Sequence, residues 1–297
     1  MAPRVLFSQL DRTQEYQQMQ EEEGRAAAAR AGLEAEAVYC QNDPATQLEQ
    51  VSRAMRGPEA TRPVAVIIQP AAVAGLEALA REAARTGVGW VAMDSAPYLE
   101  GLQREFPGKL LALVSPDQRE IGRMMAKLIR AVLPRGGRIV HLEGPSLVAP
   151  VIHRRIGMME VLKGSGVEVV KTLTGDWGEA SGEKATTFWL KLGSRKERPD
   201  LVAAQNDAMA TGAWKALRAL KPEWGDVPLI GCDGLPNGGQ RLVRENMLLG
   251  TVVQPTTFPA SVEAVVRSLH GEAVAPATLL APSIFPALEQ IRLPGRA

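Results

Sequence analysis

The sequence predicts an α/β protein built from two parallel sheets, each covered by helices on both faces. Three observations lead there. Short apolar runs of four to eight residues alternate with longer amphipathic stretches over most of the 297 residues. Such runs, rich in Val, Ile and Leu and bounded by turn residues, suit parallel strands buried on both faces. About ten runs occur, which is more than one small sheet holds, so two sheets account for the count better.

The runs are 4–10, 34–40, 64–70, 89–95, 110–116, 137–144, 167–175, 201–206, 227–234 and 248–255. Between them, 14–31, 44–56, 72–86, 117–133 and 208–220 carry helical patterning. A parallel pair needs a crossover of this length, and the crossover is right-handed. Helix ends agree: Asp43 precedes Pro44 as an N-cap precedes the first helical residue, and Gly32 and Gly87 follow helices as stops. The Pro-rich tail after 275 reads as loop and short strand. No internal sequence repeat and no low-complexity linker stands out.

Composition narrows function. Hydrophobic residues make up 45%, enough for sizeable cores, and 34 basic residues stand against 33 acidic ones. This balance argues against nucleic-acid binding, which calls for a basic face. No run of 18 apolar residues suggests a membrane helix. The opening "MAPRVLFSQL" enters a strand-like run directly and lacks the apolar length of a secretory leader. The expectation is a cytoplasmic protein, or a periplasmic or extracytoplasmic one whose leader has been removed. Cys40 and Cys232 lie far apart in apolar runs and read as buried free thiols. His141, His153 and His270 are scattered without metal-ligand spacing, so neither a metal nor a cofactor is expected.

In open α/β sheets, ligands bind beyond the carboxyl ends of strands. The residues there are Gln9, Asp11 and Arg12, then Gln41, Asn42 and Asp43, then Gln69, Asp94, Ser115, Asp117 and Gln118 in the first half. The second half adds Asn206, Asp207, Asp233 and Gln254. Asp43, Asp117 and Asp207 read first as helix caps. Asp94 and Asp233 close strongly apolar strands, where an ionised carboxylate needs donors. Either a ligand or a loop supplies them.

This residue set donates and accepts hydrogen bonds, as a neutral polyhydroxylated ligand requires. It contains no nucleophile elbow, dinucleotide loop or P-loop. Trp177 lies in the polar loop "GDWGEASG", either as a stacking surface for an apolar sugar face or as a plug against a neighbouring helix. Trp189, Trp214 and Trp224 fall in or near helical patterns and read as packing residues.

Several stretches carry a family resemblance: "QNDPATQLEQV", "VSPDQREIGRMMA", "HRRIGMMEVL", "AAQNDAMATGAWKAL" and "IGCDGLPNGGQ". In order along almost the whole chain, they resemble the type I periplasmic sugar-binding proteins, ribose-binding protein among them. The same motifs mark the effector domains of the lactose-repressor family, but no DNA-binding head precedes residue 5 here. The resemblance implies two Rossmann-like lobes joined by a three-segment hinge that closes on a ligand. It places one lobe at 1–115 with 255–284 and the other at 116–254 with 285–297. Ligand contacts carried over by motif are Asp94, Arg154, Trp177, Asn206, Asp233 and Gln254, with Tyr16 and Gln118 as altered members. Asn206 would meet the ligand while Asp207 caps the helix. The implied partners are a sugar or polyol and an ABC permease or membrane sensor, with the protein a monomer and not an enzyme. The alternatives are a cytoplasmic sensing domain of the same fold and an α/β enzyme acting on a sugar derivative. The first lobe departs from the pattern. Only Tyr16 supplies an aromatic ring at the start of the first helix, Ser95 follows Asp94, and Gln118 stands where a different amide is usual.

Overall fold

The computed structural model describes residues 2–192 and 198–291. Its strands begin with β1 (Arg4–Gln9), β2 (Glu34–Tyr39), β3 (Ala65–Ile68), β4 (Gly89–Ala92), β5 (Leu111–Pro116) and β6 (Gly137–Glu143). They continue with β7 (Val167–Thr174), β8 (Leu201–Ala204), β9 (Leu229–Asp233), β10 (Gly250–Val253), β11 (Ala277–Leu280) and β12 (Ser283–Phe285). The first helices are α1 (Glu15–Arg30), α2 (Pro44–Arg56), α3 (Leu76–Thr86), α4 (Leu99–Glu105) and α5 (Gln118–Val132). The rest are α6 (Ala149–Leu162), α7 (Glu179–Lys191), α8 (Asp207–Leu220), α9 (Gly239–Arg244) and α10 (Phe258–Leu269).

The chain forms two compact units, one from residues up to 116 and 256–280, the other from 117–255 and the residues from 281 on. It therefore passes between units at 116/117, 255/256 and 280/281. The last passage comes earlier than the expected 284/285, because β12 pairs with β10 of the second sheet. Residues 292–297 of the expected second lobe lie outside the described residues.

The first unit's sheet runs β2-β1-β3-β4-β5-β11, parallel throughout. Successive side chains point to opposite faces. Leu6, Val66, Ile68, Trp90 and Ala92 pack against α2, α3 and α4 on one side. Val5, Phe7, Ile67, Val91 and Met93 meet α1 and α10 on the other. Strands apolar at every position are what two covered faces require. The sheet of the second unit runs β7-β6-β8-β9-β10-β12, with only its edge strand β12 antiparallel. One face packs on α5 and α6 through Ile139, Ala203, Ile230 and Cys232, the other on α7, α8 and α9 through Leu142, Val202 and Ala204. The strand order is thus the same in both sheets, a repeat of topology that the sequence does not display.

In the second unit α5 crosses α6 at unusually short range. A Cβ on Gly122 would lie 2.0 Å from the Arg154 carbonyl oxygen, and one on Gly157 would lie 1.9 Å from that of Arg119. Only glycine allows this approach, which sets Arg154 of α6 beside Gln118 in the first turn of α5. Cys40 and Cys232 are buried free thiols, as their apolar surroundings suggest. Trp189 and Trp224 are buried packing residues with ring centroids 6.2 Å apart. Among the described residues no helix is long and apolar enough to cross a membrane, and no metal-holding cluster occurs.

Candidate functional site

In the second unit, β8 is followed by three consecutive buried polar residues, Gln205, Asn206 and Asp207. Each holds a different segment. The Gln205 carbonyl accepts a 2.6 Å hydrogen bond from Arg154 Nη1, and its Nε2 donates to the Val151 carbonyl at 3.3 Å. Asn206 is the N-cap of α8: its Oδ1 accepts from the Met209 N–H at 2.9 Å. Its Nδ2 donates to the Trp177 carbonyl at 2.8 Å. Asp207 accepts from the Gly234 N–H at 2.8 Å and from Thr251 Oγ1 at 2.7 Å.

The expected division of labour is thereby reversed for the cap. Asn206 caps the helix, while the Asp207 carboxylate turns inward to clamp β9 and β10. Both residue types cap well, so local sequence does not decide between them. Space decides. A Cβ on Gly231 or Gly239 would sit 2.0 Å from an Asp207 carboxylate oxygen, so these glycines make the room that the carboxylate fills.

Arg154 is the centre of the group. It is 3% exposed, and its Nε donates to Gln118 Oε1 at 2.8 Å while its Nη2 donates to Gln254 Oε1. These two acceptors and the Gln205 carbonyl are all neutral, so a positive charge enters a nearly dry site without being cancelled by them. The guanidinium lies over the Trp177 ring at 5.6 Å, within cation–π range. Trp177 itself has φ +76 and lies so close to Gly144 that a Cβ there would meet its ring at 2.4 Å. The Gln254 N–H donates to the Asp233 carbonyl at 3.0 Å. Arg154, Trp177, Gln118, Asn206, Asp233 and Gln254 therefore form one connected group within the second unit. Asp117 caps α5 through the Glu120 N–H at 2.9 Å, as expected, and so places Gln118.

A neighbouring buried cluster lies at the end of β6. Glu143 takes two 3.2 Å hydrogen bonds from Arg155 and one of 3.3 Å from Ser146. His141 Nδ1 is 3.9 Å from Glu143, too far for a hydrogen bond. Burial, with the Arg155 charge adding to it, pushes the His141 pKa down to about 4, so the ring is neutral.

The first unit carries Asp94 and Tyr16. Asp94 is half-buried with φ +57, and the Ser95 N–H closes back on the Met93 carbonyl at 2.7 Å, a γ-turn that aspartate seldom adopts. Tyr16 is buried at the start of α1, and one turn later Gln20 Nε2 reaches Met93 Sδ at 3.6 Å. Gln20 Oε1 also accepts from the Thr257 N–H and hydroxyl, so α1 grips the chain just after one passage between units. The expected cap Asp43 accepts from the Ala45 and Thr46 amides at 3.4 and 2.9 Å, and its pKa is lowered, chiefly by the Thr46 hydroxyl.

Sequence reasoning placed Gln9 and Gln69 at strand ends but missed that they form one row with Tyr39. Gln9 pairs in register with Tyr39, and Gln69 follows β3 alongside them. Both amide atoms of buried Gln9, the Tyr39 hydroxyl and Gln69 Oε1 have no protein partner. Strand-end position points to Gln9 and Gln69, but nothing local reveals that they are buried without partners.

A family model described as a periplasmic binding protein domain matches residues 5–270. The xylitol-binding protein of Mycolicibacterium smegmatis is 28% identical over 222 residues, covering 74% of this chain and 58% of that protein. The chain thus spans less than two thirds of this curated relative. Among solved structures, a Caulobacter myo-inositol binding protein bound to myo-inositol superposes with a TM-score of 0.81 at 22% identity, covering 96% of this chain and 93% of that one. A periplasmic solute-binding protein of an ABC transporter from Actinobacillus succinogenes, with bound D-allose, gives 0.83 at 18%, covering 95% and 96%. At these identities the two structures establish a shared fold.

Proposed function

We propose, on the premise that this chain belongs to the periplasmic binding protein domain family, that it is a non-enzymatic solute-binding protein for a sugar or sugar-like polyol. The observation that carries this reading is the Arg154 group. A nearly buried guanidinium anchored on three neutral oxygens, beside an aromatic ring and two amides, is a preformed hydrogen-bonding surface. Its three hydrogen bonds use three of the five N–H donors of the fork, and two stay available for hydroxyl oxygens. Asp94 and Asp233 accept from hydroxyl hydrogens, and Trp177 covers an apolar C–H face. The group includes no nucleophile paired with a base, the arrangement that covalent catalysis uses.

In this mechanism the ligand binds at the strand-end polar residues and favours the conformation that binds it best, so the population shifts toward the bound form. An ABC permease or a membrane sensor then reads the bound monomer outside the cytoplasm. The names of the relatives, with xylitol, myo-inositol and D-allose, support a polyhydroxylated neutral ligand.

A thermal-shift screen with xylitol, myo-inositol, D-allose and D-ribose tests the proposal. A ligand at a hundredfold over its dissociation constant stabilises the fold by about 2.7 kcal/mol. No shift with these or other sugars and polyols at millimolar concentration refutes it. Conversion of a bound ligand, followed by NMR, would refute its non-enzymatic part.

A further inference from the structure

We infer that Asp207 is a positioning residue: through the Gly234 N–H it holds Asp233 in the left-handed conformation that presents this carboxylate at the end of β9. This rests on the proposed ligand role of Asp233.

Asp233 has φ +97, and Gly234 follows at φ +59. A non-glycine residue pays for such a backbone and keeps it only where its surroundings over-determine it. Asp207 provides that constraint. Its carboxylate lies against four segments at once: Gly231 within β9, the Gly234 N–H, Gly239 at the start of α9, and Thr251 in β10. The first unit supplies an internal comparison. Gln69 and Gln205 are equivalent, since their N–H groups bond the β1 and β6 carbonyls of Ser8 and Leu142. Ala71 then stands where Asp207 stands, with its N–H bonded to Gln47 Oε1 at 2.8 Å. The Asp94 turn closes instead on itself, through the Ser95 N–H. Two aspartates at equivalent strand ends thus differ: the Asp94 turn closes through its own γ-turn hydrogen bond, and the Asp233 turn is held through the Asp207 carboxylate.

The test compares wild type, Asp207→Ala, Asp207→Asn and a core control, Leu190→Ala. Backbone amide exchange followed by NMR is read first, without ligand. The Gly234 amide is expected to exchange at least a hundredfold faster in Asp207→Ala than in wild type or Leu190→Ala. Asp207→Asn keeps an acceptor for this N–H and can donate to the Thr251 hydroxyl, so it restores most of the protection. Calorimetry with whichever of xylitol, myo-inositol, D-allose or D-ribose binds wild type is read second. Asp207→Ala loses at least tenfold in affinity, Asp207→Asn stays within threefold, and Leu190→Ala lowers Tm while binding as wild type does.

Unchanged Gly234 exchange in Asp207→Ala overturns the inference. So does wild-type affinity in folded Asp207→Ala, or an asparagine variant no better than alanine in either reading. If Asp207→Ala does not fold, Asp207→Asn decides: a protected Gly234 amide supports the inference and a fast-exchanging one overturns it. If no sugar or polyol binds wild type, the proposed function fails, and the exchange reading still judges the hold of Asp207 on the turn.

Discussion

Asp94 and Asp233 occupy the same place in the two sheets. Continuing the β3–β4 register puts Asp94 opposite Pro70, and continuing the β8–β9 register puts Asp233 opposite Asn206. Pro70 and Asn206 each follow an equivalent glutamine, Gln69 or Gln205. Both aspartates have left-handed backbone, φ +57 and +97, in a sequence where glycine would take that conformation without strain. Aspartate at both places, against backbone preference, makes the two carboxylates the first candidates for a test of ligand contact.

Asp233→Gly therefore separates stability from binding. Relief of the backbone strain works against the lost contacts of the carboxylate and the extra unfolded-state entropy of glycine, so stability changes by no more than about 1 kcal/mol. Affinity for the polyol falls by about 2–5 kcal/mol, because ligand hydroxyls lose a charged acceptor. Denaturant melts and calorimetry on the same sample check this. A variant that binds as wild type removes Asp233 from the ligand set.

Arg154→Met strips donors from Gln118 Oε1, Gln254 Oε1 and the Gln205 carbonyl at once. Buried acceptors that lose a donor cost up to about 1–3 kcal/mol each before relaxation, so a loss of about 2–3 kcal/mol is expected. Arg154→Lys recovers only part, since one ammonium cannot reproduce a planar fork. Equal stability of Arg154→Met and wild type in urea would show that these bonds contribute nothing.

Much of this was readable from residues alone, and the reason is physical. A strand buried on both faces is apolar over most of its length, so its end is visible where polar residues begin; the ten runs became β1 to β10, although the edge strands β2 and β7 carry exposed Glu34 and Glu168 and are only partly buried. β11 and β12 are short and sit in a Pro-rich tail, and their strand state follows from pairing with β5 and β10. Helix α3 begins at Leu76 rather than 72, because Gly75 at φ +84 ends the preceding loop. Asp94 and Asp233 stood out as carboxylates closing apolar strands. Arg154 came only through the family motif, since an arginine within an amphipathic helix resembles any solvated one until the Gly122–Gly157 crossing buries it. The exchange of roles between Asn206 and Asp207 was hidden for a similar reason: the glycines that admit the carboxylate lie 24 and 32 residues further on, at 231 and 239.

Gly122→Ala tests that crossing. The added Cβ would meet the Arg154 carbonyl oxygen at 2.0 Å, and a backbone atom cannot rotate away. Helices α5 and α6 must separate, at a cost of about 1–3 kcal/mol for overpacking. The separation also moves Arg154 from Gln118, so affinity falls together with stability. Gly101→Ala has open space around its Cβ and lies in α4, so it serves as the comparison that shows the helix-propensity gain alone, about 0.5–1 kcal/mol. A Gly122→Ala protein as stable as wild type would show that the crossing has slack.

His141 gives the fold a defined weakness toward acid. Its native pKa, near 4, lies below the ordinary value of 6.5 because burial disfavours the charged ring and Arg155 repels it. Glu143 does not reverse this, as its oxygens already serve Arg155 and Ser146. Above pH 6.5 the ring is neutral in both native and unfolded chains, and its contribution is fully present. Between pH 6.5 and 4 the unfolded chain takes up a proton that the native state refuses, so stability falls as pH falls. The loss across that window is about 3 kcal/mol, from the linkage of roughly 1.4 kcal/mol per pH unit. Carboxylates elsewhere titrate in the same range, so the measurement is a difference between proteins. His141→Leu removes the titrating group and also the buried Nε2 that has no protein partner. Urea melts at pH 7 and at pH 4.5 should therefore show a smaller loss for His141→Leu than for wild type, by about 2–3 kcal/mol. Parallel losses in the two proteins would mean that the native ring takes up its proton near the ordinary pH, through a charged pairing with Glu143 despite the 3.9 Å separation.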